Sequence, residues 1–194
     1  MSNASLDGDT VTDFQSKVTR RPRSRLERLV SALDAGTPRE SFETEPLEAI
    51  SQVEARQEVL RLLDAKPPLP CDVLRARLEA LGIADRALVD QLLLRAGKAG
   101  TVAPTSNALR VVVRLGYPGD TYESVARALD AELPGSDTQG IALRAHNLLD
   151  AHGRVICLPV RPTCTQCCVA ERCDYRGEGL DPSARLRLRV IKTP

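Results

Sequence analysis

Five of the six cysteines in this 194-residue chain fall within 17 residues near its carboxyl end. Cys157, Cys164, Cys167 and Cys173 are separated by six, two and five residues, and Cys168 lies among them. Four thiolates on one short segment can surround a compact metal centre, because iron–sulfur cubanes and tetrahedral zinc both accept four sulfur ligands. Zinc ribbons carry two separated C-x-x-C pairs, and only one such pair is present here. The spacing therefore favours an iron–sulfur centre and leaves zinc as the alternative.

The placement of the cysteines argues against a disulfide framework, which would spread its cysteines over an exported chain. The amino-terminal region is polar, with Asp7, Asp9 and Asp13, and it has no apolar stretch typical of a secretory signal. No apolar run approaches the ~18–20 residues that cross a membrane. We therefore expect a cytoplasmic chain without a membrane partner, in which the isolated Cys71 is a core residue or an adventitious thiol.

Composition narrows both the fold and the class of partner. The chain has 27 basic and 26 acidic residues, so a globally basic field is excluded, although a local basic patch is not. Aromatic residues make up only 3% of the chain against 42% for all apolar residues, so aliphatic side chains must build the core. This composition favours packed helices over a sandwich or barrel, and we predict an all-α fold, a small helical bundle.

Apolar spacing predicts the helices that must position the cysteines. Leu26, Leu29, Val30 and Leu33 mark one helical face that Gly36 ends. Further helices are predicted over 44–63 with Thr44 as the cap, 71–80, 85–96, 105–115, 122–132, and 138–152 ending at Gly153. Three prolines in residues 66–70 interrupt the chain, and residues 185–190 alternate with the period of a strand.

The residues around the cysteines resemble one known family. His152-Gly153-Arg154 before Cys157, Arg161-Pro162 before Cys164, and Cys173-Asp174-Tyr175 are similar to the carboxy-terminal cluster loop of endonuclease III. That family comprises base-excision repair DNA glycosylases and abasic-site lyases of the helix–hairpin–helix superfamily. The resemblance implies a [4Fe-4S] cluster held by Cys157, Cys164, Cys167 and Cys173. Cys168 matches no family ligand, and we expect a plain thiol there, with a ligand exchange against Cys167 as the alternative.

Two upstream segments resemble the catalytic region of the family but lack its reactive residues. Residues 109–116 resemble the helix after the catalytic aspartate, and an ungapped match puts Thr105 at the aspartate position. Residues 81–90 resemble the hairpin motif and put Ala87 at the catalytic lysine. Ala87 has no amine for covalent catalysis, and Thr105 has no charge to stabilise a cationic sugar. We therefore expect a shortened, catalytically degenerate member with no catalytic residues.

The hairpin also loses its glycines, which become Ile83 and Asp85 in the same register. Glycines let backbone N–H groups approach DNA phosphates, whereas a Cβ obstructs them and a carboxylate repels them. Contacts with the backbone of double-stranded DNA are therefore expected from Arg154, Arg161 and Arg172 around the cysteine loop, with solvated surface charges as the alternative reading. Such binding would weaken steeply with salt.

Four regions follow from these patterns. We predict a disordered tail over 1–20, an iron–sulfur helical domain from 22–36 together with 101–176, a shortened and degenerate helix–hairpin–helix domain over 44–100, and a basic carboxy-terminal tail over 177–194. The two histidines are not expected to be catalytic bases. His146 should be packed or solvent-facing, and His152 should serve carbonyls in the last turn of its helix.

The primary functional hypothesis is an endonuclease III-like iron–sulfur protein that associates with DNA and lacks catalysis. One alternative is an active glycosylase or abasic-site lyase with rearranged catalytic residues. Another is a non-enzymatic [4Fe-4S] protein for electron transfer, sensing or docking of a protein partner.

Overall fold

The computed structural model describes residues 23–37, 46–83, 85–119, 121–135 and 138–177. Within these ranges the regular structure is helical throughout and contains no strand, which confirms the predicted all-α class. The helices are α1 (Arg25–Gly36), α2 (Val53–Leu63), α3 (Cys71–Ala80), α4 (Arg86–Arg95), α5 (Ser106–Arg114), α6 (Tyr122–Asp130), α7 (Thr138–Val155) and α8 (Asp174–Gly177).

Side-chain caps fix where several of these helices begin. The Ser24 hydroxyl accepts a hydrogen bond from the Glu27 N–H, and the Glu27 carboxylate accepts one from the Ser24 N–H, which forms a capping box. Thr105 accepts from the Ala108 N–H at 3.1 Å and starts α5, and Thr121 accepts from the Ser124 N–H and starts α6. Polar residues in front of apolar runs therefore set the register of the elements that carry the site.

The first core is formed by the buried side chains of α1, α5, α6 and α7, including Leu33, Val112, Leu129 and Leu149. Helix α7 is its centre, because both α1 and α5 pack against it. The amphipathic helices bury their aliphatic faces there, and this burial provides the main favourable free energy of folding.

The second core is formed by residues 46–93 and includes Val59, Leu78 and Leu93. Helix α3 packs on α2 and on α4. The buried carboxylate of Asp90 on α4 ties the two cores together. It pairs with Arg75 Nη1 of α3 at 2.5 Å and accepts a 2.7 Å hydrogen bond from the Tyr122 hydroxyl of α6.

The predicted helix over 44–63 is wrong in its first half. Pro46–Ala49 form a single 3-10 turn, and α2 begins only at Val53 after Gln52 in extended conformation. The Arg56 guanidinium donates to the Ile50 carbonyl, and Ile50 is buried in the second core. Burial of Ile50 and this side-chain bond compensate for the broken helix, and neither can be read from apolar spacing.

The prediction that α7 stops at Gly153 is also wrong, because the helix continues to Val155. A Cβ at position 153 would lie 2.7 Å from the Asn107 carbonyl oxygen of α5. The glycine therefore permits close approach of two helices and does not act as a C-cap.

Some expectations fall outside the described residues, namely Thr44, the tail over 1–20 and the alternating segment 185–190. No helix among the described ranges is long and apolar enough to span a lipid bilayer.

Candidate metal centre

The chain after α7 brings four cysteines around one cavity. Cys157 follows α7, Cys164 begins a 3-10 turn, Cys167 ends that turn, and Cys173 immediately precedes α8. All four line the same cavity, whose wall is completed by Arg114, Ile156, Pro162, Ala170, Tyr175 and Arg176. None of these cysteines forms a disulfide. The structure thus brings the four sequence-predicted ligand positions together.

The other two cysteines lie elsewhere. Cys168 does not line the cavity, and its side chain lies against the end of α1, where a Cβ on Gly36 would come within 2.5 Å of the Cys168 Cβ. Cys71 is exposed at the first position of α3, so the expectation that Cys71 is a core residue is wrong.

Arg114, in the last turn of α5, reaches into the beginning of the cysteine loop. Its Nη1 donates to the Leu158 carbonyl at 2.8 Å and lies 3.2 Å from the Cys157 Sγ, and its Nη2 donates to the Pro159 carbonyl at 3.0 Å. The guanidinium also stacks on the Tyr175 ring, 4.4 Å from the ring centroid. Sequence reasoning missed this residue because its partners are more than 40 residues away in the chain.

Arg110 holds the same loop one helical turn earlier on α5. Its Nε donates to the Cys157 carbonyl at 2.8 Å, and its Nη2 donates to the Gly153 carbonyl at 2.6 Å and the Asn107 Oδ1 at 2.9 Å. Burial lowers the pKa of Arg110, whereas the nearby Cys157 raises it. Two cationic side chains thus converge on the first cysteine.

His152 lies beside a different thiol from the one that Arg114 contacts. Its Nε2 is 3.4 Å from the Cys167 Sγ and its Nδ1 is 3.5 Å from the Thr37 Oγ1, so it does not serve the last-turn carbonyls as expected. Burial lowers the pKa of His152 to about 4, which keeps the ring neutral near pH 7. His146 is packed, which confirms one of the two positions expected for it. Its Nδ1 is 2.7 Å from the Ala103 carbonyl oxygen.

Burial and backbone hydrogen bonds act in opposite directions on two of the thiols. Burial raises the pKa of Cys167 to about 11 and also raises the pKa of Cys173. Backbone N–H groups that bond to the sulfurs act in the opposite direction, from Val169 to Cys167 and from Arg176 and Tyr175 to Cys173. A metal bound by a thiol removes its proton, and the same N–H donors would then face a thiolate.

The cavity is lined by four thiols and the buried guanidinium of Arg114. Within the described part of the chain, no three His, Cys, Asp or Glu side chains are arranged to hold one metal ion. A cubane imposes a different geometry, because each of its four thiolates binds a different iron. Arg114 is only 4% exposed, and no ion pair among the described residues joins it to a carboxylate. A buried cation needs a nearby negative charge, which thiolates around this cavity would supply.

In the hairpin region, the side chains at the lysine position and at one glycine position pack against a core and cap a helix. Ala87 packs against the first core and offers no amine. Asp85, at one of the glycine positions, caps α4 by accepting hydrogen bonds from the N–H groups of Ala87 at 2.8 Å and Leu88 at 3.4 Å. Gly82 keeps a positive φ of 80°. An Asp before an apolar run is a standard N-cap signal, so this role of Asp85 was available from the sequence.

A carboxylate that sequence reasoning missed lies beside Thr105. The Thr105 hydroxyl donates to Asp150 Oδ1 at 2.5 Å, and the Asn107 amide donates to the same oxygen at 3.1 Å. Arg154 Nε lies 3.0 Å from Asp150 Oδ2. The spacing of Asp150 and Arg154 at i and i+4 on α7 is the sequence signal for their pairing.

The three arginines expected to contact DNA differ in their ion pairing and exposure. Arg154 is engaged with Asp150, whereas Arg161 and Arg172 are exposed. Arg172 lines a groove with Arg25 and Arg28 of α1, and the apolar part of that groove is formed by Leu29, Leu115, Tyr117 and Val169.

Comparison with known proteins identifies relatives for part of the chain. The chain matches no protein-family model. It is 31% identical to endonuclease III of Sulfolobus acidocaldarius over 121 residues, which cover 61% of this chain and 52% of that protein. It is 40% identical to endonuclease III of Rickettsia conorii over 76 residues, covering 39% and 34% of the two chains.

Endonuclease III of Escherichia coli K12 is 30% identical over 103 residues, which cover 53% of this chain and 47% of that protein. The chain thus spans about half the length, or less, of the curated relatives that it matches. Several relatives with the same name share this level of identity, and the matching segments establish that the chain is related to the endonuclease III family.

Proposed function

We propose that this chain is an endonuclease III-like protein whose Cys157, Cys164, Cys167 and Cys173 hold a [4Fe-4S] cluster, and that it associates with DNA without glycosylase or lyase activity. The observation that carries this proposal is that the four cysteines line one cavity. The buried guanidinium of Arg114 lines the same cavity and forms no ion pair with a carboxylate among the described residues. The relationship to endonuclease III supports it independently. A cytoplasmic location is part of the proposal, because clustered cysteines that bind a metal are typical of that compartment.

The residues around the cavity would hold this group in distinct ways. The four thiolates would bind its irons, and the N–H groups of Val169, Tyr175 and Arg176 would bond to the ligand sulfurs. When bound, such a cluster supplies a cross-link among chain segments and a one-electron redox centre. The loop otherwise has little regular structure between α7 and α8, so the cross-link would stabilise it.

Loss of the family reaction follows from the hairpin region. A methyl group stands at Ala87 where covalent catalysis needs an amine. Thr105 is uncharged and serves as the N-cap of α5. These two positions leave no residue there to form a Schiff base with an abasic sugar.

One observation favours a second candidate, an active glycosylase with rearranged residues. The Asp150 carboxylate lies 2.5 Å from the Thr105 hydroxyl, so a negative charge sits next to the position of the missing aspartate. Borohydride trapping on an abasic-site duplex, together with an assay for release of damaged bases, separates the two candidates. We expect neither a covalent adduct nor base release, and either product would overturn the non-catalytic assignment.

DNA association would use exposed arginines near the cysteine loop. Arg161 and Arg172 are exposed, and Arg172 shares its groove with Arg25 and Arg28. Guanidinium groups without base-edge geometry bind phosphates and release counterions, so the affinity should fall steeply with salt. Fluorescence anisotropy on an unmodified duplex at several salt concentrations tests this. A flat salt dependence would contradict a backbone-driven mechanism.

The cluster itself is tested by anaerobic purification followed by iron, sulfide and zinc analysis. We expect a brown protein with about four irons and four sulfides per chain, the content of one [4Fe-4S] cluster. Stoichiometric zinc without iron would overturn the assignment. Cys168→Ser is a matched control, because that thiol lies outside the cavity, and this variant should retain full iron content.

A further inference from the structure

Arg114 is unusual among the charged residues of the first core. Its side chain is almost fully buried in the last turn of α5, where a cation is costly unless opposite charge or several acceptors surround it. Asp90 and Asp150, two other buried charged residues, each pair with an arginine. No described ion pair provides Arg114 with a carboxylate.

The contacts of Arg114 join both ends of the cysteine loop to α5. Its guanidinium bonds to carbonyls of Leu158 and Pro159 at the start of the loop and stacks on Tyr175 at the end. The Arg114 carbonyl oxygen lies 3.4 Å from the Cys173 Sγ, and its Nη1 lies 3.2 Å from the Cys157 Sγ. One residue therefore contacts the first and the last of the four thiols.

We propose that Arg114 is a positioning residue that fixes Cys157 and raises the reduction potential of the bound cluster; this inference rests on the proposed function. One-electron reduction adds a negative charge to the iron–sulfur centre. A fixed positive charge that donates N–H to a ligand sulfur stabilises the more negative state, and hydrogen bonds to sulfur and net charge are known determinants of cluster potential.

The neighbouring donors contact the loop in other ways. Arg110 bonds to the Cys157 carbonyl and to groups on α5 and α7, and none of its hydrogen bonds reaches a sulfur. His152 Nε2 lies 3.4 Å from the Cys167 Sγ, so it contacts a different ligand sulfur from Arg114. Arg114, in contrast, brings a formal positive charge to 3.2 Å from a ligand sulfur, the Cys157 Sγ.

The test is a redox titration of the anaerobically purified full chain, followed by visible absorption and electron paramagnetic resonance. Arg114→Met removes the charge and all donors, whereas Arg114→Lys keeps the charge but cannot make the forked contacts. Arg127→Met is the matched control, because Arg127 is exposed on α6 and does not line the cavity.

At a fixed electrode potential, we expect the ratio of reduced to oxidised cluster to fall about tenfold in Arg114→Met, a shift of about 59 mV to lower potential for one electron. The Lys variant should shift less than half as far but release iron to a chelator faster than wild type. The control should match wild type in potential and iron release.

The outcomes separate the inference from the proposed function. A wild-type chain that binds no iron overturns the proposed function and the inference with it. A loaded Arg114→Met protein with the wild-type potential overturns the inference alone. If the Met variant assembles no cluster, the Lys variant decides, because a shift of tenfold or more with the charge retained would contradict the electrostatic assignment.

Discussion

The cysteine loop and the hairpin region of this molecule differ in what their side chains do. Around the loop, four cysteines line one cavity, and donors from α5, α7 and the loop itself contact their sulfurs. In the hairpin region, Asp85 caps α4 and Ala87 packs against the first core, and Thr105 farther along the chain caps α5. A helix start needs only a cap and an apolar face, whereas a nucleophile needs one specific amine. The side chains of such a segment can therefore cap and pack helices without any of them being a nucleophile.

The prediction with the largest expected effect tests whether the cysteine loop binds a metal. Cys157→Ser or Cys173→Ser should abolish cluster assembly and lower the free energy of unfolding by at least about 4 kcal/mol, since loss of a bound metal is among the largest single-residue effects. Iron analysis and thermal unfolding measure both quantities. Full iron content and unchanged unfolding in these variants would remove the basis of the comparison.

A second prediction tests whether the stability of the hairpin region depends on the second core. Leu78 is fully buried in the second core, and Leu78→Ala should cost about 3 kcal/mol of stability through lost burial and a residual cavity. Because Leu78 is outside the first core, we expect iron content to remain at the wild-type level. Val73→Ala, at an exposed site on the same helix, is the control and should be nearly neutral. Simultaneous loss of iron in Leu78→Ala would show that the two regions fold as one unit.

Two glycine substitutions compare the cost of a close helix contact with the cost of a positive φ. Gly153→Ala would place a Cβ 2.7 Å from the Asn107 carbonyl oxygen, so overpacking between α7 and α5 should cost about 2 kcal/mol. Gly82→Ala meets no atom within 4 Å, and only its positive φ should cost about 1 kcal/mol. Urea denaturation provides both numbers, and Gly135→Ala, which has open space, is the reference. The reverse order of the two costs would contradict the packing argument.

The smallest expected effect concerns pH. Burial lowers the pKa of His146, so the unfolded chain binds a proton that the folded chain resists as the pH falls below about 6.5. Stability should therefore decrease from pH 7 towards pH 5, and the wild-type slope should exceed that of His146→Gln. Denaturant titrations at several pH values measure this difference. Equal slopes would mean that other groups dominate the pH dependence.

The sequence was sufficient for features that depend on local chemistry. The all-α class and helices α3 and α4 within a residue or two followed from apolar periodicity and polar helix starts. The grouping of four cysteines around one cavity followed from their short separation along the chain.

What the sequence could not provide depends on contacts between distant residues. Arg114 has its hydrogen-bond partners more than 40 positions away, and the hydrogen bond from Thr105 to Asp150 spans 45 positions. Gly153 has the signature of a helix stop, yet its role is set by the backbone of a different helix. Local patterns predict elements, and the relative placement of those elements decides which side chains meet.

The first core is split in the chain, because α1 lies before the second core and α5 to α7 lie after it. The His152 imidazole contacts both Thr37 at the end of α1 and Cys167 in the loop, so the amino-terminal helix and the thiols share one neighbour. As the chain leaves the ribosome, residues 46–93 can pack before translation ends, whereas α1 must wait for its partners. Nascent α1 therefore exposes an apolar face until α7, its main packing partner, has been synthesised.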